Sequence, residues 1–365
     1  MQPMQGDHLK RSGRCRWQRR VLVTLLGAMV AGSSLAVAPA WQQAVVMKAA
    51  GGPEVLKLER VPVLAPHSGQ VLIRVYAAGV NPVDWKLRSH PDYFGGPARK
   101  AVILGLDVAG IIEQAGAGVS AFTAGDKVFS TLDLGADSGL NGGYSQFVVV
   151  AADRVVSKPA TMSFAEAAGI GVAGVTGTRA VMQTHVAGGE RVLITGVAGG
   201  VGSAAAQIAR ARGARVLGTA SKRHGAYLHA LGVEQVIDYT SGPFENQVHD
   251  VDVVIDTVGA DTSVRALKTL RQGGRLITVA GDVLAQQCAQ AKVSCIEDRA
   301  PGAALPSEGD MLRAVATLAA AGKYSVSIDK TFALGQAGAA QAYGERGHTQ
   351  GKIILIVDAA AALRK

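Results

Sequence analysis

Gly196, Gly199 and Gly202 sit three residues apart, directly after the hydrophobic run Arg191 to Ile194 and at the head of an Ala-rich stretch. Strand, glycine turn and helix in that order suit a dinucleotide. One glycine permits a tight turn, one lets backbone approach a pyrophosphate, and one allows helix to pack on strand. The phosphates then meet unpaired N–H groups and the positive end of the helix dipole. In a chain with 46 glycines the spacing alone is weak, so its surroundings have to carry the argument.

Those surroundings alternate between strand and helix signals. Ser203 to Arg212 reads as a helix stopped by Gly213, and Arg215 to Thr219 as the next strand. A helix over His224 to Leu231, strands over Gln235 to Asp238 and Val251 to Asp256, a helix over Asp261 to Arg271 and a strand over Arg275 to Ala280 follow. Such alternation predicts an α/β doubly wound parallel sheet.

The choice of nicotinamide cofactor is read from charge. A carboxylate about 20 residues past the glycines would hold a ribose 2′-hydroxyl, but no acidic residue lies between Glu190 and Glu234. Ser221-Lys222-Arg223 follows the second strand instead. A hydroxyl and two cations suit a 2′-phosphate, which predicts NADP. The other reading of Lys222 and Arg223 is a solvated helix start.

The first forty residues do not belong to this pattern. Lys10, Arg11, Arg14, Arg16, Arg19 and Arg20 precede an uncharged apolar run, Val21 to Val37, and Ala38-Pro39-Ala40 offers small residues for cleavage before Trp41. This predicts a bacterial export signal and a periplasmic or secreted protein, with Arg19-Arg20 pointing to the twin-arginine route. An uncleaved membrane anchor is the alternative. Six cations and one acid lie in that segment, so five of the nine net positive charges leave with it. The remainder gives no case for nucleic acid, nor for a membrane partner once the signal is removed. Cys288 and Cys295 either pair in an oxidising compartment or stay as buried thiols.

Ala44 to about Pro159 differs in character, with short Val-, Gly- and Pro-rich runs such as Val71 to Val75 that read as a partly open β-barrel. Asn81-Pro82-Val83-Asp84-Trp85-Lys86, Gly105 to Gly110, Gly125-Asp126-Lys127-Val128, Gly142-Gly143-Tyr144, Val175-Thr176-Gly177 and Gly351 to Leu355 follow in order. This series resembles the medium-chain dehydrogenase/reductase superfamily, in its zinc-independent quinone and enone reductase branch, over roughly Ala44 to Asp358. The organisation implied is a signal over 1–40, a GroES-like substrate domain over 41–163, an NADP-binding Rossmann domain over 164–302 and a return segment over 303–365. Zinc-dependent relatives carry Cys near Asn81-Pro82 and Gly-His-Glu where this chain has Gly105-Leu106-Asp107, and the barrel segment holds no cysteine, so no metal site is expected.

By that resemblance the chain is an NADPH-dependent oxidoreductase that passes hydride to a quinone or an α,β-unsaturated carbonyl, small molecules whose developing charge spreads onto oxygen. The resemblance places Asn81 near nicotinamide and substrate, Thr176 near the nicotinamide half, and Gly196, Gly199, Gly200, Val201 and Gly202 at the pyrophosphate. Ser221, Lys222 and Tyr239 match positions used for the adenosine phosphate, and Lys352 falls where the family approaches the cofactor. Tyr93 and Tyr144 are candidate substrate-side donors, with packing as the other reading of each. A homodimer stays open. So does a second class, an exported nucleotide- or small-ligand-binding protein of the same fold without turnover.

Overall fold

Arg191–Thr195, the apolar run ahead of the glycine turn, forms a central strand of a six-stranded sheet. The computed structural model describes residues 38–91, 101–133, 139–282, 285–298 and 304–365. The paired arginines and apolar run of the expected export signal, and Tyr93, lie outside these residues. The described residues form one compact unit.

In chain order the first part comprises β1 (Trp41–Met47), β2 (Leu56–Pro62), β3 (Gln70–Val80), α1 (Pro82–Ser89), β4 (Val102–Ile103), β5 (Asp107–Ala115), β6 (Lys127–Thr131), β7 (Phe147–Ala151) and β8 (Val155–Ser157). The second comprises α2 (Phe164–Ala168), α3 (Gly171–Gln183), β9 (Arg191–Thr195), α4 (Gly200–Ala211), β10 (Arg215–Ala220), α5 (Gly225–Ala230), β11 (Gln235–Asp238), β12 (Val251–Asp256), α6 (Asp261–Leu267), β13 (Leu270–Thr278), α7 (Ala285–Ala291) and β14 (Ser294–Glu297). The chain ends with α8 (Glu308–Ala320), β15 (Ile328–Ala333), α9 (Ala337–Glu345) and β16 (Lys352–Ile356).

The six strands run in the order β11-β10-β9-β12-β13-β14, every neighbour parallel. Leu193 and Ile194 point to opposite faces of this sheet, as the two-residue strand period requires, and each is fully buried in a separate apolar cluster. Burial of side chains of this size stabilises the fold by roughly 1.5–3 kcal/mol apiece. The order of strands reverses between β9 and β12, so a crevice opens at their carboxyl ends, beside the glycine turn.

Two helix bounds differ from the sequence pattern by three residues or more, for local reasons. α4 starts three residues early, because extended backbone at Gly199 lets its carbonyl accept the Ser203 N–H at 2.9 Å. α6 stops at Leu267, where the Thr269 hydroxyl bonds the Ala266 carbonyl at 2.7 Å and Leu270 is already paired with Val251.

The other large sheet has the order β15-β16-β3-β5-β6-β8, with β7 also on β3, and the three strands β2-β1-β4 complete the barrel. β16 pairs antiparallel with β3, matching Ile354 to Gly79, so the last strands of the chain return to the barrel. Cys288 of α7 and Cys295 of β14 are joined in a disulfide with their Cα atoms 6.0 Å apart, which selects the bridge over two thiols. Among the described residues no helix is long and apolar enough to cross a membrane.

Candidate functional site

The glycines of the turn divide the work between them. Gly196 has φ +63, a left-handed conformation that suits glycine, and a Cβ on Gly202 would lie 2.4 Å from the Gly196 carbonyl oxygen. Those two make the turn. A Cβ on Gly199 would find no atom nearer than 3.5 Å, so that position leaves open space over the backbone. Gly200, Val201 and Gly202 form the first turn of α4, where unpaired N-terminal N–H groups and the helix dipole suit an anion.

Gly196 and Gly199 line a cavity of about 380 Å³, together with Ser221, His224, Tyr239 and His348. The Ser221 hydroxyl is buried there without a hydrogen-bond partner. Such a group costs about 1–3 kcal/mol unless something satisfies it, so it fits an acceptor arriving with a ligand. Tyr239 and Val258, 41% and 53% exposed, present apolar surface along the same cavity, and exposed apolar patches mark ligand grooves. Lys222 is exposed but is not part of the cavity wall, and its backbone N–H bonds the Asp238 carboxylate. That carboxylate is held below its ordinary range, chiefly by the Thr240 hydroxyl.

Asn81 caps α1 and is buried beneath the second group of candidates. Its Nδ2 donates to Asp107 Oδ2 at 2.9 Å, and its Oδ1 accepts from the Lys352 ammonium. Lys352 also stands 3.3 Å from Asp107 Oδ2. Both polar ends of the Asn81 amide are thus engaged within the protein. Thr176, on α3, lines a second cavity of about 70 Å³ with Leu106, Thr131, Leu132 and Val175, beside the Arg154–Glu308 ion pair. The structure therefore joins Asn81 to Lys352, joins the glycines to Ser221 and Tyr239, and places Thr176 on a separate cavity.

Tyr144 is fully buried and donates its hydroxyl to Asp84 Oδ2 at 2.8 Å, which makes it a core residue of the barrel. Asp84 is pushed up to about 7 by burial, against the opposing pull of the Asn81 N–H and the Tyr144 hydroxyl. Its other oxygen has no partner.

Sequence reasoning passed over Asp107, His224 and His348. Asp107 left a signal: it is an acid opening an otherwise apolar strand, Asp107 to Ile112. The histidines left none, because their place on the cavity depends on the loop between α9 and β16 meeting Arg223, 125 residues earlier, whose guanidinium bonds the His348 carbonyl. Among the described residues no group of three His, Cys, Asp or Glu side chains is placed to hold a metal ion.

A parallel sheet of the order 3-2-1-4-5-6, a glycine turn at its reversal point and a barrel tied to it by the last strand define a two-part dehydrogenase architecture. Residues 67–160 match the alcohol dehydrogenase GroES-like domain family, and residues 231–355 match the zinc-binding dehydrogenase family. The chain is 40% identical over 243 residues to a mouse quinone oxidoreductase, covering 63% of this chain and 70% of that protein. It is 30% identical over 314 residues to an Arabidopsis thaliana chloroplastic NADPH-dependent alkenal/one oxidoreductase, covering 84% and 77%. The quinone oxidoreductase structure from Coxiella burnetii superposes with a TM-score of 0.77 at 30% identity, over 87% of this chain and 99% of that one. The chain belongs to the medium-chain dehydrogenase/reductase superfamily, alongside its quinone oxidoreductases. It is accordingly an oxidoreductase of a nicotinamide-dependent family.

Proposed function

We propose that this protein uses NADPH to reduce a quinone or an α,β-unsaturated carbonyl compound, without zinc. The observation that carries the cofactor choice is the buried, unpartnered Ser221 hydroxyl at the end of β10, in the place where a carboxylate would select a ribose hydroxyl. Gly199 and the first turn of α4 would hold the pyrophosphate, Ser221 and Lys222 the 2′-phosphate, and Tyr239 with Val258 would flank the base. When bound, the reduced nicotinamide supplies a hydride. The protein's share is to hold the acceptor still, exclude water and offer hydrogen-bond donors to the oxygen on which charge develops.

Zinc independence is supported by what stands at the positions of the family's metal ligands. Asn81 and Asp107 are hydrogen-bonded to one another, and the Lys352 ammonium contacts both. A cation already fills that space. The cavity beside Thr176 combines Leu106, Leu132 and Val175 with Thr131 and the Arg154–Glu308 pair, a mixed lining that supports an acceptor with an apolar body and a polar oxygen. We also propose export, supported by the basic and apolar pattern before Trp41 and by the Cys288–Cys295 bridge, a bond that persists in oxidising compartments.

The test is turnover in the presence of a metal chelator. Purified protein is expected to consume NADPH with small quinones or enones and to do little with saturated alcohols and NADP. Tight NADPH binding without turnover across a panel of both acceptor classes sinks the reductase reading and leaves a binding protein.

A further inference from the structure

We propose that Asp107 is the positioning residue of the hydride end, a single carboxylate that holds Asn81, the first turn of α3 and Lys352 in one arrangement. The proposal rests on the nicotinamide reading above. Asp107 is fully buried at the start of β5, between Gly79 of β3 and Thr131 of β6. Four donors converge on it. Oδ1 accepts the Val172 N–H at 2.7 Å and the Thr131 hydroxyl at 3.2 Å, while Oδ2 accepts Asn81 Nδ2 at 2.9 Å and the Lys352 ammonium at 3.3 Å.

Three of these donors belong to different working parts. Val172 lies in the first turn of α3, a helix whose N-cap, Ile170, makes no side-chain cap, so Asp107 serves as a cap supplied from the barrel. That helix carries Thr176. Lys352 opens β16 directly after Gly351, which is bonded to the glycine turn, and its stem passes beneath Gly200. Asn81 is the candidate nearest to substrate by resemblance. The space is built around the carboxylate: a Cβ on Gly171 would lie 2.0 Å from Asp107 Oδ1.

The barrel does not need a charge there. β5 is paired along both edges by backbone, and a buried ion pair is commonly no better for stability than an apolar residue of the same volume. What an apolar residue cannot do is orient an amide. With Asp107 accepting from Nδ2 and Lys352 donating to Oδ1, the Asn81 amide has one orientation, and α3 is locked to the same point.

The experiment compares Asp107→Asn and the double variant Asp107→Asn/Lys352→Met with wild type. It measures affinity for NADPH and for 2′-phosphoadenosine diphosphate ribose, a fragment lacking nicotinamide, alongside urea unfolding and, with an accepted quinone or enone, kcat and KM. Asparagine keeps the shape but turns an NH2 toward donors, and removing the ammonium relieves that conflict while letting the Asn81 amide reverse. We expect Asp107→Asn to lose at least tenfold in NADPH affinity and in kcat, with fragment affinity within twofold. The double variant should regain stability without regaining NADPH affinity or kcat. Parallel loss of NADPH and fragment affinity, wild-type behaviour in Asp107→Asn, or recovery of NADPH affinity together with stability overturns the proposal. So does a wild-type protein that binds NADPH no tighter than the fragment. If wild type binds neither ligand, the nicotinamide reading itself fails, and the proposal falls with it.

Discussion

The Gly351 N–H donates to the Ala198 carbonyl at 2.7 Å, so the turn that opens α4 is hydrogen-bonded to the strand that closes the barrel. Gly199 and Gly351 form a parallel bridge at the same point. The turn is therefore shaped by the return strand before any ligand arrives, and substitutions within it should separate folding from binding.

Gly199→Val and Gly202→Val make that separation measurable. A side chain at Gly199 enters open space, so the variant should fold with a wild-type unfolding midpoint and lose cofactor binding by a hundredfold or more, as measured by fluorescence titration. At Gly202 the added carbon meets the Gly196 carbonyl at 2.4 Å and Val197 Cα at 2.7 Å. That variant should lose roughly 1–3 kcal/mol of stability as overpacking usually costs. Equal destabilisation in both would show that Gly199 is held by the fold and not kept open for a ligand.

Ser221 and Lys222 should set the preference between the two nicotinamide cofactors. A charge-assisted hydrogen bond to a phosphate contributes about 1.5–3 kcal/mol, and Lys222 is exposed, so the lower end of that range applies. Lys222→Ala is expected to weaken NADPH about tenfold with NADH within twofold. Ser221→Ala removes a buried hydroxyl that has no protein partner, so it should weaken NADPH while leaving the apo protein as stable as wild type or more so. Isothermal titration with both cofactors decides this; equal losses for NADPH and NADH would assign the two residues to structure.

What the sequence made legible is what depends on neighbours along the chain. The strands Gln235–Asp238 and Val251–Asp256 have the bounds their apolar patterns imply, and the glycine turn follows its strand as its spacing requires. The surroundings of Asp107 were not legible. Its partners lie 24, 26, 65 and 245 residues away, and only the folded topology brings them to one carboxylate. Tyr144 reads as a donor or as packing from its local motif, and the difference is made by Asp84, 60 residues distant, which takes its hydroxyl into the core.

The Cys288–Cys295 bridge closes a loop with a sequence separation of 7, fastening α7 to the edge strand β14. Loop-closure entropy for so short a loop gives about 2–3 kcal/mol. Urea unfolding with and without reductant should differ by that amount in wild type and not at all in Cys288→Ser/Cys295→Ser. β14 also carries the Glu297 carbonyl that accepts from Gln183 of α3 at 3.3 Å, so amide exchange in β14 should rise on reduction ahead of the rest of the sheet. Reductant-independent unfolding of the oxidised protein would show that the bridge adds nothing to the fold.

Asp84 gives the fold a pH dependence of defined sign. Its folded value lies near 7, above the ordinary carboxylate range it has when unfolded, because burial penalises the charge more than the Asn81 N–H and the Tyr144 hydroxyl reward it. Below about pH 4 the carboxyl is protonated in both states and the fold carries no penalty. As pH rises from about 4 to about 7 the unfolded chain releases the proton and the folded one keeps it, so stability falls, by an amount on the order of a few kcal/mol, and then levels off. Asp84→Asn keeps an oxygen to accept from Asn81 N–H and the Tyr144 hydroxyl and cannot ionise. The variant should therefore be more stable than wild type at pH 8, equal to it near pH 4, and free of this component of the slope between those values. Urea midpoints measured at half-unit steps of pH give the comparison directly. A wild-type stability that rises relative to Asp84→Asn between pH 4 and 7 would mean that Asp84 is ionised in the folded protein and is stabilised there by its two donors.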